Sequence, residues 1–230
     1  MTTFIRPGYD ELPRLISVMT GDDKHRAASE STVDVLWVLY DRVLNITPES
    51  IRDPDRDRFL LSKGHGPSAF YAVLTVKGFL SESELPTWSD AASRLGHHPD
   101  RKRIPGVEIS SGSLGHGLPI AIGTALGLRA RRRLEPKVVT LVGDAELDEG
   151  SNHEAIVVAA RLGLANLTTV VIDNSSARYG WPGGIAQRFE LEGWATRTVS
   201  GRDHEALYDA FTTPHPDRPL AVVAVVEPKG

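Results

Sequence analysis

The chain has 230 residues, 40% of them hydrophobic, with 26 Lys and Arg against 30 Asp and Glu for a formal net charge of −4, and no cysteine. Length and apolar content suit one domain with a full core, and the acidic balance argues against a general nucleic-acid surface. The missing cysteines exclude a disulfide framework and thiolate metal sites and are compatible with a cytoplasmic location; no apolar run nears the roughly 20 residues of a membrane span, and "MTTFIRPGYDELPR" lacks the apolar core of a signal peptide.

In chain order, "GYDELPRLISVM" (8–19) predicts a first helix. Apolar residues recur with helical period in "STVDVLWVLYDRVLN" (31–45) and "PSAFYAVLTVKGF" (67–79). The stretch 93–117, "SRLGHHPDRKRIPGVEISSGSLGHG", has too many glycines and prolines for one element, and is where the chain would break if it held two units. A helix over 118–132 follows, and the basic run "RARRRLEPK" (129–137) solvates its end. Beyond it, "KVVTLVG", a helix over 149–163, "LTTVVIDN", "WATRTVS", a helix from 203 and "PLAVVAVVE" alternate in the rhythm of βαβ units. The expected fold is therefore a single α/β domain over 1–230, with a mostly parallel central sheet and helices on both faces.

"LVGDAELDEGSNHEA" (141–155) packs five carboxylates behind a buried strand. If "VVTLVGD" and "TTVVIDN" are successive parallel strands, Asp144 and Asn174 both sit at carboxyl ends, where open α/β sheets bind ligands. One carboxylate and one carboxamide suit a hard cation that completes its shell with phosphate and water oxygens. Acidic capping of the next helix would also account for Glu146, Asp148 and Glu149, so both readings stand at this point.

A Gly-Asp opening with an asparagine thirty residues on resembles the thiamine diphosphate motif. "LSKGHGPSAFYAVL", "GHHPDRKRIPGVEISSGSLGHGL", "GDAELDEGSNHEA" and "ANLTTVVIDN" are similar, in order and spacing, to the N-terminal, diphosphate-binding domain of transketolases over most of residues 20–230. The resemblance implies that Asp144, Asn174 and the backbone carbonyl of Ser176 hold a magnesium or calcium ion. It places His65 against the cofactor diphosphate, the backbone of Gly112, Ser113 and Leu114 along the aminopyrimidine, and Gly143, Ala145 and Glu146 around the cofactor at the Gly-Asp turn. His98, with His97 as its neighbour, and His25 match histidines that reach the sugar, so His25, His65 and His98 are the expected catalytic set. No GxGxxG spacing marks a dinucleotide site. Glu149 and Glu154 match glutamates of a subunit interface, although an exposed helix face would explain them equally well.

The implied activity is transfer of a two-carbon ketol unit from a ketose to an aldose, with sugars or sugar phosphates as substrates and imidazoles moving protons at the reacting hydroxyls. The family's domain continues past the point where "VEPKG" ends here, into the pyrimidine-binding domain that carries the glutamate activating the aminopyrimidine. The chain therefore reads as the N-terminal subunit of a split transketolase, completed by a second subunit that carries the pyrimidine-binding and C-terminal domains, in a heterotetramer; a natural subunit and a truncated piece of a longer chain both fit its ends. Transfer of a two-carbon or acyl unit to a lipoyl or carrier-protein acceptor is the alternative enzyme; a cofactor-binding scaffold is the alternative without catalysis. Two departures stand out: Ala145 replaces a family glycine, at a cost if its φ is positive, and His116 replaces a common glutamine.

Overall fold

The computed structural model describes residues 8–20 and 26–228. Strands β1 (Arg58–Leu61), β2 (Val138–Gly143), β3 (Leu167–Asp173), β4 (Ala195–Ser200) and β5 (Leu220–Val225) form one sheet in the order β1-β2-β3-β5-β4, every neighbouring pair parallel. The helices are α1 (Leu12–Ser17), α2 (Arg26–Glu30), α3 (Val33–Val38), α4 (Ser68–Val76), α5 (Gly117–Ala130), α6 (Gly150–Arg161), α7 (Gly184–Leu191) and α8 (His204–Thr212).

Alternation along the strands divides the core in two. On one face Val139 and Leu141 of β2, Val170 and Ile172 of β3, and Val222 and Ala224 of β5 pack beneath α1, α3, α4 and α8. On the other, Val138 and Val142, Leu167 and Val171, and Ala221 pack beneath α5, α6 and α7. Strands covered on both sides favour apolar residues on both faces, which is why β2 and β3 are rich in Val, Leu and Ile and interrupted within the sheet only by the buried threonines Thr140, Thr168 and Thr169. β4 lies at the edge and is correspondingly more polar, with Arg197 donating to the carbonyls of Thr213 and Pro214.

The expected fold is present, with three elements added, the five-residue α2, β1 and α7. β1 is four residues long and follows a charged segment, too short to show a period; α7 buries Phe189 and little else, so its pattern is weak. The helix expected over 31–45 changes character at Leu39, where α3 passes into a π-helical turn over Leu39–Val43 closed by Leu44 N–H donating to the Leu39 carbonyl at 2.8 Å. The segment 93–116 forms no helix or strand, yet Leu95 and Ile104 are buried in one half of the core and Ile109 in the other, so it is pinned to the sheet. Among the described residues no helix is long and apolar enough to cross a membrane.

Candidate functional site

At the carboxyl edge of the sheet, β2 ends in Gly143, in register with Ile172 of β3, and the Asp144 N–H donates to the Ile172 carbonyl at 2.9 Å. The two expected cation ligands thus leave adjacent strands, and both are buried, Asp144 at 2% and Asn174 at 4% exposure. The Asp144 carboxylate accepts from Ala145 N–H (2.9 Å), from Ser176 N–H and Oγ–H (2.6 Å each) and from Ala177 N–H (3.0 Å). Asn174 Oδ1 is buried with no hydrogen-bond partner among the described residues, which is costly unless a ligand completes it. Between them Ser175 holds a left-handed φ of 56°, of the kind that concentrates at binding loops. Ser176 turns its N–H and hydroxyl toward Asp144, so a cation bound here would compete with those donors for the carboxylate.

Ala145 does not have a positive φ; it opens a 3-10 turn over Ala145–Asp148, and the glycine it replaces is not needed for backbone conformation. Within that turn Glu146 is 1% exposed. Its Oε1 accepts from Ser62 Oγ–H and from Gly115 N–H (3.0 Å), and its Oε2 from Gly143 N–H (3.3 Å). Burial pushes the Glu146 carboxyl above the usual carboxylate range, against the pull of these donors and of the nearby Lys63 charge.

The glycine-rich loop is held by close approach. Gly112 has φ 132°, and a Cβ there would lie 2.9 Å from the His98 ring; a Cβ on Gly64 would lie 2.5 Å from Ser111 Oγ. His65 and His98 meet edge to face with ring centroids 4.9 Å apart, so residues thirty-three positions apart in sequence form one pair against the 111–115 loop. Ser113 is exposed, Leu114 half-buried, and His116 Nδ1 lies 3.2 and 3.1 Å from the Ser113 and Leu114 carbonyls at the start of α5. His97 turns elsewhere, packing on Trp88 and bonding to Ser89 Oγ at 2.7 Å. Glu149 and Glu154 are exposed, and Asp148 Oδ2 accepts from the Arg178 and Tyr179 N–H groups. His25 lies outside the described residues.

The structure thus gathers His65, His98, Gly112–Leu114, Gly143, Asp144, Ala145, Glu146, Asn174 and Ser176 along one edge. Ser62, Lys63 and Asn152 join these residues without a signal in the sequence. Lys63 runs its stem past Gly143 and donates from Nζ to the Ala28 carbonyl at 2.7 Å; Asn152, fully buried, donates to the Glu146 carbonyl at 2.7 Å. Ser62 and Lys63 stand inside the quoted "LSKGHG", but only the histidine there has chemistry that draws notice in a sequence.

Among the described residues no group of three or more His, Asp or Glu could hold a metal by itself. Asp144 and Asn174 instead offer one carboxylate and one open carboxamide oxygen, a donor set for a cation that takes its other ligands from phosphate and water.

A parallel sheet covered on both faces, with oxygen donors and a close-packed glycine loop at the carboxyl ends of adjacent strands, defines an α/β ligand-binding domain of the cofactor type. Residues 15–224 match the family described as transketolase, thiamine diphosphate binding domain, and the chain belongs to that family. It is 58% identical over 218 residues to "Ferredoxin fas2" of Rhodococcoides fascians, covering 95% of this chain and 72% of the relative. It is 36% identical to an apulose-4-phosphate transketolase subunit of Actinobacillus succinogenes (87% and 75% covered) and 33% identical to the 6-deoxy-6-sulfo-D-fructose transketolase subunit SqwG of a Clostridium species (81% and 70%). Among solved structures, transketolase from Leishmania mexicana superposes with a TM-score of 0.76 at 24% identity, over 95% of this chain and 36% of that one, a likeness of fold. The chain spans about a third of whole transketolases and about 70% of the relatives named as single transketolase subunits.

Proposed function

We propose that the chain is the diphosphate-binding subunit of a two-component, thiamine-diphosphate-dependent transketolase. The observation that carries this reading is the buried, unpartnered Asn174 oxygen one strand away from Asp144, facing the same sheet edge as the His65–His98 pair. Asp144, Asn174 and the Ser176 carbonyl would hold magnesium or calcium, with Ser176 and Ala177 yielding part of the Asp144 carboxylate to the ion. The Gly143 and Ala145 backbone and His65 would line the diphosphate, and the Gly112–Leu114 backbone the aminopyrimidine. Bound there, thiamine diphosphate supplies the carbanion chemistry that cleaves and remakes a bond next to a carbonyl. His98 and His25 orient the sugar and hold or return the proton of its reacting hydroxyl, a task for groups that titrate near neutrality.

Relatives named as one subunit of a transketolase support a second polypeptide carrying the pyrimidine-binding and C-terminal domains. Ile120 on α5 and Val158 on α6, each 44% exposed, and Leu162 at the end of α6 offer an apolar surface for that assembly, which we read as a heterotetramer acting on sugar phosphates. The test is to assay the chain with a ketose phosphate, an aldose phosphate, cofactor and magnesium, alone and with the candidate partner. Ketol transfer is expected only with the partner. His98→Ala should lower turnover with cofactor affinity kept, and His65→Ala should weaken cofactor binding. Robust transfer by the chain alone, or cofactor affinity indifferent to magnesium and to Asp144→Ala, overturns the reading.

A second reading is favoured by the 58% identical relative bearing the name ferredoxin. In it a 2-oxo acid loses carbon dioxide as its C1–C2 bond breaks, the two electrons released pass one at a time to an iron–sulfur protein, and the acyl group passes to a carrier thiol, which gives up its proton. The 230 residues hold no cysteine, so the iron–sulfur group would lie outside them. Reduction of a one-electron dye with a 2-oxo acid as donor, in place of ketol transfer to any aldose, would select this reading.

A further inference from the structure

We propose that Glu146 is a positioning residue for the diphosphate site: an acceptor buried beneath it that fixes three backbone segments against one another and does not touch the ligand. The proposal rests on the cofactor lying where the preceding reading puts it.

Glu146 joins segments far apart in sequence. Ser62 follows β1, Gly115 closes the loop that carries Gly112–Leu114, and Gly143 ends β2; one carboxylate accepts from all three. Ser62 extends the junction, since its Oγ also accepts from Gly117 N–H at 3.0 Å, at the first residue of α5. Asn152 fixes the turn from behind through the Glu146 carbonyl, and Ser151 Oγ–H donates to the Gly115 carbonyl at 2.6 Å. The junction also leaves little room to shift: a Cβ on Gly117 would fall 2.2 Å from Ser62 Cβ, and one on Gly115, already at φ 82°, would fall 2.7 Å from Glu149 Cβ.

Electrostatics argues for the same role. A carboxylate turned toward a diphosphate would repel it, whereas one whose oxygens are spent on two amides and a hydroxyl, at 1% exposure, presents no oxygen to a ligand. Buried acceptors of this kind rigidify a site only when every donor is satisfied, which makes their loss felt along the whole junction. Every segment it ties bears a group assigned to the cofactor: His65 lies three residues past Ser62, Leu114 adjoins Gly115, and Asp144 adjoins Gly143.

The test is Glu146→Gln in the full chain. Glutamine keeps the size, and its oxygen still accepts from Ser62 and Gly115, but its amide then faces the Gly143 N–H, donor against donor. Amide hydrogen exchange at Gly143 should quicken roughly tenfold, and calorimetry should show thiamine diphosphate with magnesium bound roughly tenfold more weakly, a lost buried hydrogen bond being of that size. In the assembled enzyme, turnover at saturating cofactor should stay within about twofold, because the site is displaced and no reacting group is lost. Ser62→Ala supplies a second variant should the first fail to fold, with faster exchange expected at Gly117. Exchange unchanged in both variants, or quickened exchange with wild-type cofactor affinity, overturns the inference. So does lost turnover at intact affinity, which would make Glu146 a catalytic group. Asp144→Asn is the control: if it leaves cofactor affinity intact, the functional reading fails, and the exchange data alone then decide whether Glu146 holds the segments.

Discussion

Two buried carboxylates stand near the carboxyl end of the same sheet and are neutralised in different ways. Asp34 on α3, 5% exposed, meets residues that follow β4: it accepts from Arg202 at 2.7 Å and His204 Nε2 lies 2.8 Å away, while Tyr9 Oη–H donates from the 3-10 turn Tyr9–Glu11 at 2.5 Å. Arg202 also pairs with Glu227 beyond β5 and donates to the Glu30 carbonyl. Asp144 is buried as deeply, but each donor described for it is a neutral N–H or hydroxyl. The first carboxylate has the Arg202 guanidinium as a cation partner and straps α3 to the segments that follow β4 and β5. Among the described residues the second is met by neutral donors alone, which leaves its charge available to the cation proposed above.

Exchanging each acid for its amide should separate them. Asp34→Asn leaves Arg202 and His204 facing a neutral group; because both are partly solvated, at 35% and 29% exposure, the cost should fall near the low end for a broken buried pair, about 3 kcal/mol by urea denaturation. Asp144→Asn should cost less in stability, about 1–2 kcal/mol for weakened hydrogen bonds, yet lower magnesium-dependent cofactor affinity by at least about a hundredfold. Equal stability losses, with cofactor affinity spared in the Asp144 variant, would erase the distinction.

A second contrast lies within one helix. Gly117 opens α5 against Ser62, whereas Gly123, two turns on, faces open space. Gly117→Ala should destabilise by about 2 kcal/mol through overpacking at the rim of the site, and Gly123→Ala should stabilise by about 0.5–1 kcal/mol through reduced chain entropy. Thermal midpoints that move together would show that the rim is not sterically fixed.

These regions also differ in how far a sequence discloses them. β5 is an unbroken apolar run, and β2 and β3 are apolar but for buried threonines, because both faces of the sheet are covered, and the Gly-Asp turn with its distant asparagine marks where a ligand would sit. The His65 and His98 rings meet edge to face, a contact between residues thirty-three positions apart that comes from the fold. The Ser62–Glu146 bond spans 84 positions and the Arg202–Asp34 bond 168, and neither serine nor a lone aspartate in an apolar helix announces a partner at such range. β1 went unread for a related reason: four residues cannot show a period, and its strand character comes from pairing with β2. Glu146 was legible as an acid at a turn; that its oxygens point inward depends on the fold.

The smallest effect expected is on Tyr9, and it tests the strap from its other end. Burial, then the hydrogen bond to Asp34 and that carboxylate's charge, push the Tyr9 hydroxyl up to about 12 from an ordinary value of 10.0. A raised value means that the folded chain holds this proton where the unfolded chain has released it. The stability contributed is therefore complete below pH 10 and is lost as pH rises toward 12. The ring is only partly buried, so solvent screening should keep the effect to no more than about 1 kcal/mol. Tyr9→Phe keeps the edge-to-face contacts with Trp37 and His204 but removes the titrating proton. Urea denaturation between pH 9 and 11.5 should show wild type losing its advantage over Tyr9→Phe as pH rises, with the two curves converging. Parallel curves would mean that folding does not raise the Tyr9 hydroxyl, so that neither burial nor Asp34 holds its proton.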